Sequence, residues 1–351
     1  MSITKVAVIG CGKMGQYHIE NMLTMRDSTK IEALVEPSEK MKKCVSEIFE
    51  KHEVSLPPVY NSLDELLQAD VDVEVAFIVT PHNVHFVQAK ACMEAGLDVL
   101  LEKPMVMNTR EAQNLINIRN RTERLLVVAF PGSLSPAVHK AKELIAKGAI
   151  GEILQVAGVV HQHWRILGGW RQIPEISGGG FLFDTGSHLI NTVVDILNDN
   201  VERVFAIQDT RETLVDICSA ITLKTEKGIL VNLTAAGDSI GCESEIFIIG
   251  TKGLIRTGAW GEKLEIKREG EKDFAPVEYP KSKGVWEQFL KIRSGQMENP
   301  CPPEIGLRFA ELMDMIKLSA VKGEVITREV LLSKEVSQPQ GSLLDDTKTV
   351  Y

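Results

Sequence analysis

The sequence predicts an α/β protein in which a doubly wound parallel sheet over residues 1–130 precedes an α+β domain with a large, mostly antiparallel open sheet over 131–332. Three observations carry that expectation. The 351 residues exceed the roughly 250–300 at which a single core stops growing. Short, wholly apolar runs alternate with amphipathic stretches through the first third. From Glu152 onward the pattern changes to longer segments with period-two alternation.

The apolar runs at 6–9, 31–35, 75–79, 99–101 and 125–129 read as strands buried on both faces, as in a parallel sheet. Helical patterns at 14–26, 38–52, 62–69, 84–95 and 109–122 separate them, giving βαβ units with right-handed crossovers. After Phe130-Pro131-Gly132 a further helix, 136–147, stops at Gly148. Strands follow at 152–163, 201–209, 213–224, 228–237 and 243–250, with turns at Lys227-Gly228 and Thr251-Lys252-Gly253. Such a sheet, with helices on one face and apolar residues on the other, invites aggregation unless a second subunit covers it. A homo-oligomer, dimer or tetramer, is therefore expected through that sheet. Helices return at 284–295 and 303–322, while 333–351, poor in apolar residues, reads as a loosely ordered tail.

The net charge of −9 is spread without a Lys/Arg-rich block, which argues against nucleic-acid or anionic-membrane partners and favours a small molecule that is not a polyanion. Six cysteines lie scattered with no Cys-x-x-Cys pair, the usage of reduced thiols. The first apolar run is too short for a signal-peptide core or a membrane span, so a cytoplasmic location is expected.

Gly10-Cys11-Gly12-Lys13-Met14-Gly15 follows the first strand and opens a helix, the context in which this glycine pattern binds a dinucleotide on a Rossmann domain. Gly10 makes the tight turn, Gly12 lets the backbone approach a pyrophosphate, and Gly15 allows close helix packing. Glu36, at the end of the second run, is placed to accept hydrogen bonds from a ribose diol and to repel a 2′-phosphate. NAD is favoured, with NADP open because Lys40, Lys42 and Lys43 stand nearby. Thr80, Pro81, His82 and His85 close the strand 75–79, where the nicotinamide half of the cofactor would pass.

Glu102-Lys103-Pro104 ends the run 99–101, at the carboxyl edge where an open α/β sheet keeps its chemistry. A lysine there can hydrogen-bond a substrate oxygen and stabilise charge developing on it. In the second domain, Gly178-Gly179-Gly180 precedes Asp184 and His188, which are four residues apart and share a face if helical. The glycines would let the backbone pass close to a ligand. Neutral His188 suits the base that takes a hydroxyl proton, and Asp184 either bonds a sugar hydroxyl or orients the imidazole. His161 and His163 alternate onto one strand face and, with Asp184 and His188, form a conceivable metal donor set. Hydride chemistry with Lys103 as electrophile needs no metal, so none is expected. Trp164, Trp170 and Arg171 lie between that strand and the glycines and, with His163 at the strand's end, are candidate pocket walls.

These motifs, in this order and at these distances, resemble the Gfo/Idh/MocA oxidoreductases over about residues 3–325. Ile150-Gly151-Glu152-Ile153 and Gly250-Thr251-Lys252-Gly253 also look like the family. The resemblance implies that Glu102-Lys103-Pro104 supplies the catalytic lysine, and that Asp184 and His188 match the acid and histidine of the glycine-rich stretch. It implies an NAD(P)-dependent dehydrogenase acting on a secondary alcohol of a sugar, inositol or related polyol. A redox-elimination glycosidase that keeps its NAD, and a non-catalytic dinucleotide and sugar sensor, are the alternatives. Two departures stand out. His82 occupies a position where many members carry Asn, and Pro131-Gly132-Ser133 stands in place of an Asn-Arg-Arg-like run.

Overall fold

A computed structural model of the protein describes residues 3–337. The first part runs β1 (Thr4–Ile9), α1 (Lys13–Leu23), β2 (Thr29–Val35), α2 (Glu39–Lys51), β3 (Val59–Tyr60), α3 (Leu63–Gln68), β4 (Val75–Ile78), α4 (His85–Glu94), β5 (Asp98–Leu101), α5 (Thr109–Thr122), β6 (Leu126–Val128) and α6 (Pro136–Ala146). The strands form a six-stranded sheet in the order β3-β2-β1-β4-β5-β6, with every pair parallel. This is a doubly wound Rossmann sheet. The strand order reverses between β1 and β4, which opens a crevice outside their carboxyl ends. Val6 to Ile9, Val75 to Ile78 and Val99 to Leu101 are entirely buried, as strands covered on both faces must be.

The second part runs β7 (Ile153–His163), α7 (Pro174–Ser177), α8 (Phe181–Asp184), α9 (Gly186–Leu197), β8 (Val201–Asp209), β9 (Cys218–Thr225), β10 (Leu230–Ala236), β11 (Asp238–Gly250), β12 (Gly253–Thr257), β13 (Leu264–Arg268), β14 (Ala275–Pro276), α10 (Val285–Arg293), α11 (Pro303–Lys322), β15 (Ile326–Thr327) and α12 (Arg328–Ser337). Nine strands form one sheet, β14-β13-β12-β11-β7-β10-β9-β8-β15, antiparallel throughout except for the β7–β10 pair. Helix α9, buried along its whole length, packs on the inner face, where a Cβ at Gly158 of β7 would meet Leu189 at 2.8 Å. The outer face carries the half-exposed Ile207 and Leu230.

The chain then returns to the first part. Trp286 of α10 donates its indole N–H to Thr29 Oγ1 at 2.8 Å, and Arg293 binds Asp98 at 3.0 Å. Thr109 at the start of α5 donates its N–H and its hydroxyl to Asp314 of α11. The C-terminal helices thus clamp the two sheets together.

Several expectations change. The short strand β3 is new, and so are β12 to β15, whose alternation is too brief to signal. Residues 213–217, expected as strand, precede β9. A turn at 210–213, closed by Thr213 N–H donating to the Thr210 oxygen at 2.9 Å and by Arg211 N–H donating to Asp209 at 2.8 Å, holds Arg211 and Glu212 at positive φ and interrupts the extended chain. β11 begins at Asp238, five residues before the expected 243. Residues 333–337, read as loose tail, continue α12; residues 338–351 lie outside the described residues.

Candidate active site

The turn between β1 and α1 needs glycine at two positions and leaves open space at a third. Gly10 has φ +95° and a Cβ there would sit 2.6 Å from the Val79 carbonyl oxygen; a Cβ at Gly15 would sit 2.1 Å from the Gly10 oxygen. At Gly12 a Cβ would meet nothing within 4 Å, so the space in front of the helix is open. α1 has neither a side-chain cap nor an acid in its first turn, in contrast to α3 and α5, capped by Ser62 and Asn108. Its free N–H groups and dipole therefore suit a pyrophosphate. Lys13 and Met14, on the exposed first turn, flank that opening.

Glu36 is buried, with Oε2 accepting from Cys11 N–H at 2.9 Å and Oε1 from Ser38 N–H at 2.8 Å. A carboxylate has about four acceptor sites, so two remain for a ribose diol beside the turn. The Cys11 thiol is pushed up to about 12 by burial and by the Glu36 charge, which keeps it neutral. Lys42 is occupied by Glu39 and Asn61. These residues fit NAD on an observed geometry: an uncapped helix, an open approach at Gly12 and an acid at the ribose position.

Thr80 and Pro81 follow β4 at the same crevice. His85, expected to touch the nicotinamide, has its ring held inside the fold. The ring is wholly buried, with Nδ1 2.9 Å from the Pro104 carbonyl oxygen and Nε2 2.9 Å from that of Thr80, so it bolts the β4 and β5 ends together. Glu102 likewise faces inward. Its Oε1 lies 2.8 Å from His18 Nε2 of α1 and its Oε2 accepts from Lys103 N–H at 3.0 Å. Burial opposes ionisation of Glu102, but the His18 hydrogen bond and the Lys103 charge prevail and hold it below the usual range.

Lys103 leaves that anchored backbone and reaches across to α8, donating to the Asp184 backbone oxygen at 2.9 Å and to Oδ1 at 3.1 Å. Asp184 Oδ2 accepts from Trp164 Nε1 at 2.8 Å and Arg171 Nε at 3.0 Å. Burial disfavours the Asp184 carboxylate, yet the Lys103 and Arg171 cations and the Trp164 N–H hold it far below the usual carboxylate range. Trp164, expected as a pocket wall, is fully buried and serves instead to fix the acid. Arg171 stacks over Trp170 at 4.6 Å, and the Trp170 ring meets His82 edge-on at 4.8 Å.

His82 is buried, with Nδ1 2.7 Å from the Ser177 carbonyl oxygen and Nε2 3.9 Å from Asp184 Oδ1. The carbonyl can only accept, so Nδ1 carries the proton. Burial above all brings His82 down to about 3, leaving a neutral ring. It is a strut between the β4 end and α7.

The three glycines serve packing rather than a ligand. A Cβ at Gly179 would meet Phe183 at 2.7 Å, and one at Gly180 would meet the Asp216 oxygen at 2.0 Å. Asp216, which has no signal in the sequence, accepts from Gly180 N–H at 2.9 Å and Leu182 N–H at 2.8 Å and so caps α8. Only the knowledge that 213–217 is not strand would have singled it out.

Helix α8 ends at Asp184 and α9 starts at Gly186, so Asp184 and His188 do not share one continuous helix. His188 makes no bond to Asp184; its Nδ1 is buried without a partner, and its ring lies 5.5 Å from Trp260. Burial, then the nearby Lys103 charge, lower His188 well below its ordinary value, so the ring is neutral. Ser133, within the departing Pro131-Gly132-Ser133 run, accepts from Asn191 of α9 at 2.8 Å.

His163 does not reach this site. Gln162 points inward and accepts from Thr185 at 2.9 Å, whereas His161 and the exposed His163 point to the outer sheet face by strand alternation. The conceivable donor set with Asp184 and His188 is therefore split across the sheet.

Residues 4–130 match the family described as "Oxidoreductase family, NAD-binding Rossmann fold", and residues 138–256 match the "GFO/IDH/MocA C-terminal domain". A trans-1,2-dihydrobenzene-1,2-diol dehydrogenase of Danio rerio is 30% identical over 216 residues, 61% of this chain and 62% of that protein. This chain thus spans under two thirds of that relative's length. The solved aldose-aldose oxidoreductase of Caulobacter crescentus superposes with a TM-score of 0.80 at 19% identity, covering 93% of this chain and 100% of the other. A levoglucosan dehydrogenase solved with NADH and L-sorbose gives 0.80 at 21% identity, covering 93% and 99%. These two likenesses are of fold. With both of its domains matched, the chain belongs to the GFO/IDH/MocA family of oxidoreductases, and its first domain is the NAD-binding one.

Proposed function

We propose that the chain is an NAD-dependent dehydrogenase of a secondary alcohol on a sugar or related polyol. The observation that carries this reading is the meeting of Lys103, from the carboxyl end of β5, with Asp184 beside His188, at the mouth of the dinucleotide crevice. Bound NAD supplies the hydride acceptor. The remaining work falls to the chain. Lys103, fixed through Glu102 and Asp184, donates a hydrogen bond to the substrate oxygen and stabilises the alkoxide character that grows on it. Neutral His188 accepts the hydroxyl proton. Asp184 holds Lys103 and Arg171 in place through its two carboxylate oxygens, and Trp170 with Arg171 lines the side of the pocket. The aldose and levoglucosan activities named for the two structural relatives support a sugar as substrate class.

The exposed outer face of the nine-stranded sheet supports a second copy of the chain as partner, in a dimer or a tetramer. The described residues include no helix long and apolar enough to cross a membrane.

The test is an NAD⁺-reduction screen across sugars, inositols and amino sugars, with Lys103→Met run alongside. NADH formation by the native chain and its loss in the variant support the reading. Glycoside cleavage without net NADH would move the assignment to a redox-elimination glycosidase, and sugar binding without hydride transfer would leave a sensor.

A further inference from the structure

We propose that one face of α9 is a water-filled proton exit path, running from His188 past Asn191 to Asp195 and reaching solvent at Lys142. The proposal rests on the dehydrogenase reading of the site. Among the described residues, four buried side-chain atoms lack a hydrogen-bond partner: Arg119 Nε, His188 Nδ1, Asp195 Oδ2 and Arg308 Nη2. Three of the four gather along this one stripe. Positions 188, 191 and 195 are spaced i, i+3, i+7 and so lie on one helix face. At 1.5 Å rise per residue, His188 and Asp195 are about 10 Å apart along the axis, a gap that two or three hydrogen-bonded groups can bridge.

The stripe is polar between its ends. Asn191 donates to Ser133 Oγ at 2.8 Å, the Ser133 carbonyl oxygen lies 2.7 Å from His139 Nε2, and Thr192 donates to the Ala259 oxygen at 2.7 Å. Asp195 Oδ1 accepts from Lys142 Nζ of α6 at 2.8 Å, with Arg308 Nη2 of α11 at 4.0 Å. The Asp195 side chain is 3% exposed and that of Lys142 is 34% exposed, so the pair joins the interior to the surface. The other charged or titratable groups facing the stripe are Lys103 and Asp184 at its inner end and Cys301 and Asp199 at its outer end. A buried polar atom without a partner is costly, and ordered water is its usual partner in a polar site.

The reaction needs such a route. Oxidising a secondary alcohol sends the C–H hydrogen and its electron pair to NAD⁺, while the O–H electron pair becomes the second C–O bond. The hydroxyl proton must leave separately. His188 accepts it at Nε2, and the proton on Nδ1, the buried nitrogen, passes to water and along the stripe to Asp195 and solvent. That leaves the ring neutral with its proton on Nε2. After product has left, water at the open site takes the Nε2 proton and water of the stripe returns one to Nδ1, which restores the starting tautomer for the next turnover.

The first test is a high-resolution crystal structure of the chain with NAD. Ordered waters bonded to His188 Nδ1 and to Asp195 Oδ2 are expected; a dry stripe, or protein groups bonded to both atoms, would overturn the path. The second follows NADH absorbance and a pH-indicator dye together in stopped flow, with whichever sugar reduces NAD⁺ in the screen. In Asp195→Asn, proton release should lag hydride transfer by about tenfold or more, and imidazole buffer should restore it, a rescue that a folding defect does not allow. Release in step with NADH would sink the proposal. Ser133→Ala, which keeps the Lys142–Asp195 pair intact, carries the same expectation if the first variant does not fold. If no sugar reduces NAD⁺ the dehydrogenase reading fails, while the water positions still decide the path.

Discussion

The Lys103 ammonium stands 2.9 Å from the backbone oxygen of Asp184 and 3.1 Å from its Oδ1, joining the end of a Rossmann strand to a helix of the second domain. Neither residue alone makes a site. Lys103 is aimed by the Glu102 carboxylate that holds its own N–H, and Asp184 by Trp164 and Arg171, so the pair is assembled before any substrate arrives.

Replacing Lys103 by Met keeps the bulk of the side chain and removes its charge. Turnover should fall by about 10²-fold or more, the loss typical of one electrostatic transition-state contact, while NAD affinity changes little because the fingerprint turn is untouched. Steady-state kinetics beside NAD titration by fluorescence checks this. Unchanged turnover would remove Lys103 from the chemistry.

Glu36 sets the cofactor preference. Glu36→Ala should lower kcat/KM for NAD⁺ by about 10- to 100-fold, as expected for losing hydrogen bonds to a charged acceptor, and should narrow the preference over NADP⁺ by removing the repulsion of a 2′-phosphate. The ratio of kcat/KM for the two cofactors is the measurement. An unchanged ratio would move ribose recognition to another residue.

The parts legible in the sequence are those that local pattern dictates. Gly10 and Gly15 meet the steric demand their spacing implied, and Gly12 leaves the open approach, because a turn this tight has few solutions. The apolar runs gave the first sheet for the same reason. What stayed hidden depends on contacts made across the fold. The Gly178 to Gly180 run looked like a ligand approach, but it is shaped by Phe183 and by Asp216, more than thirty residues away in sequence. His85 and His82 looked alike as strand-end histidines; only tertiary packing shows both rings bonded to backbone carbonyls. His163 was misplaced because alternation fixes which residues share a face but not which face turns inward.

Asp216 provides a test of the cap it forms. Asp216→Ala leaves Gly180 N–H and Leu182 N–H without their acceptors and should destabilise the chain by about 1–3 kcal/mol. Because α8 carries Asp184, turnover should fall as well, without Asp216 touching substrate. Urea denaturation together with kinetics checks both. A variant of native stability would mean that water replaces the cap.

The outer sheet face offers a row in register, with Ile207 opposite Ala220, Ala220 opposite Thr234, and Thr234 opposite Val159. Ile207 is 61% exposed, and a charge placed there would have to be desolvated in any face-to-face pairing. Ile207→Asp should shift the chain toward monomer in sedimentation velocity while its thermal unfolding changes little. A native chain that sediments as a monomer would remove the interface.

His82 supplies a pH prediction with a definite sign. In the folded chain burial brings it down to about 3, against an ordinary 6.5, so the unfolded state binds a proton through a range where the folded state does not. The stability it contributes is therefore complete above 6.5 and is lost as pH falls toward 3. Between pH 7 and 5 this one group should cost about 2 kcal/mol, taking roughly 1.4 kcal/mol for each pH unit below 6.5. His85 and His188 are shifted in the same direction and add to the loss in the native chain, whereas the depressed Asp184 carboxyl acts only at lower pH. His82→Asn removes the titrating group, so the drop in unfolding free energy from pH 7 to 5 should shrink by about 2 kcal/mol relative to the native chain. Urea titrations of both proteins at the two pH values measure that difference directly. Equal drops would mean that the His82 ring is protonated inside the fold, with its Nε2 proton directed at Asp184.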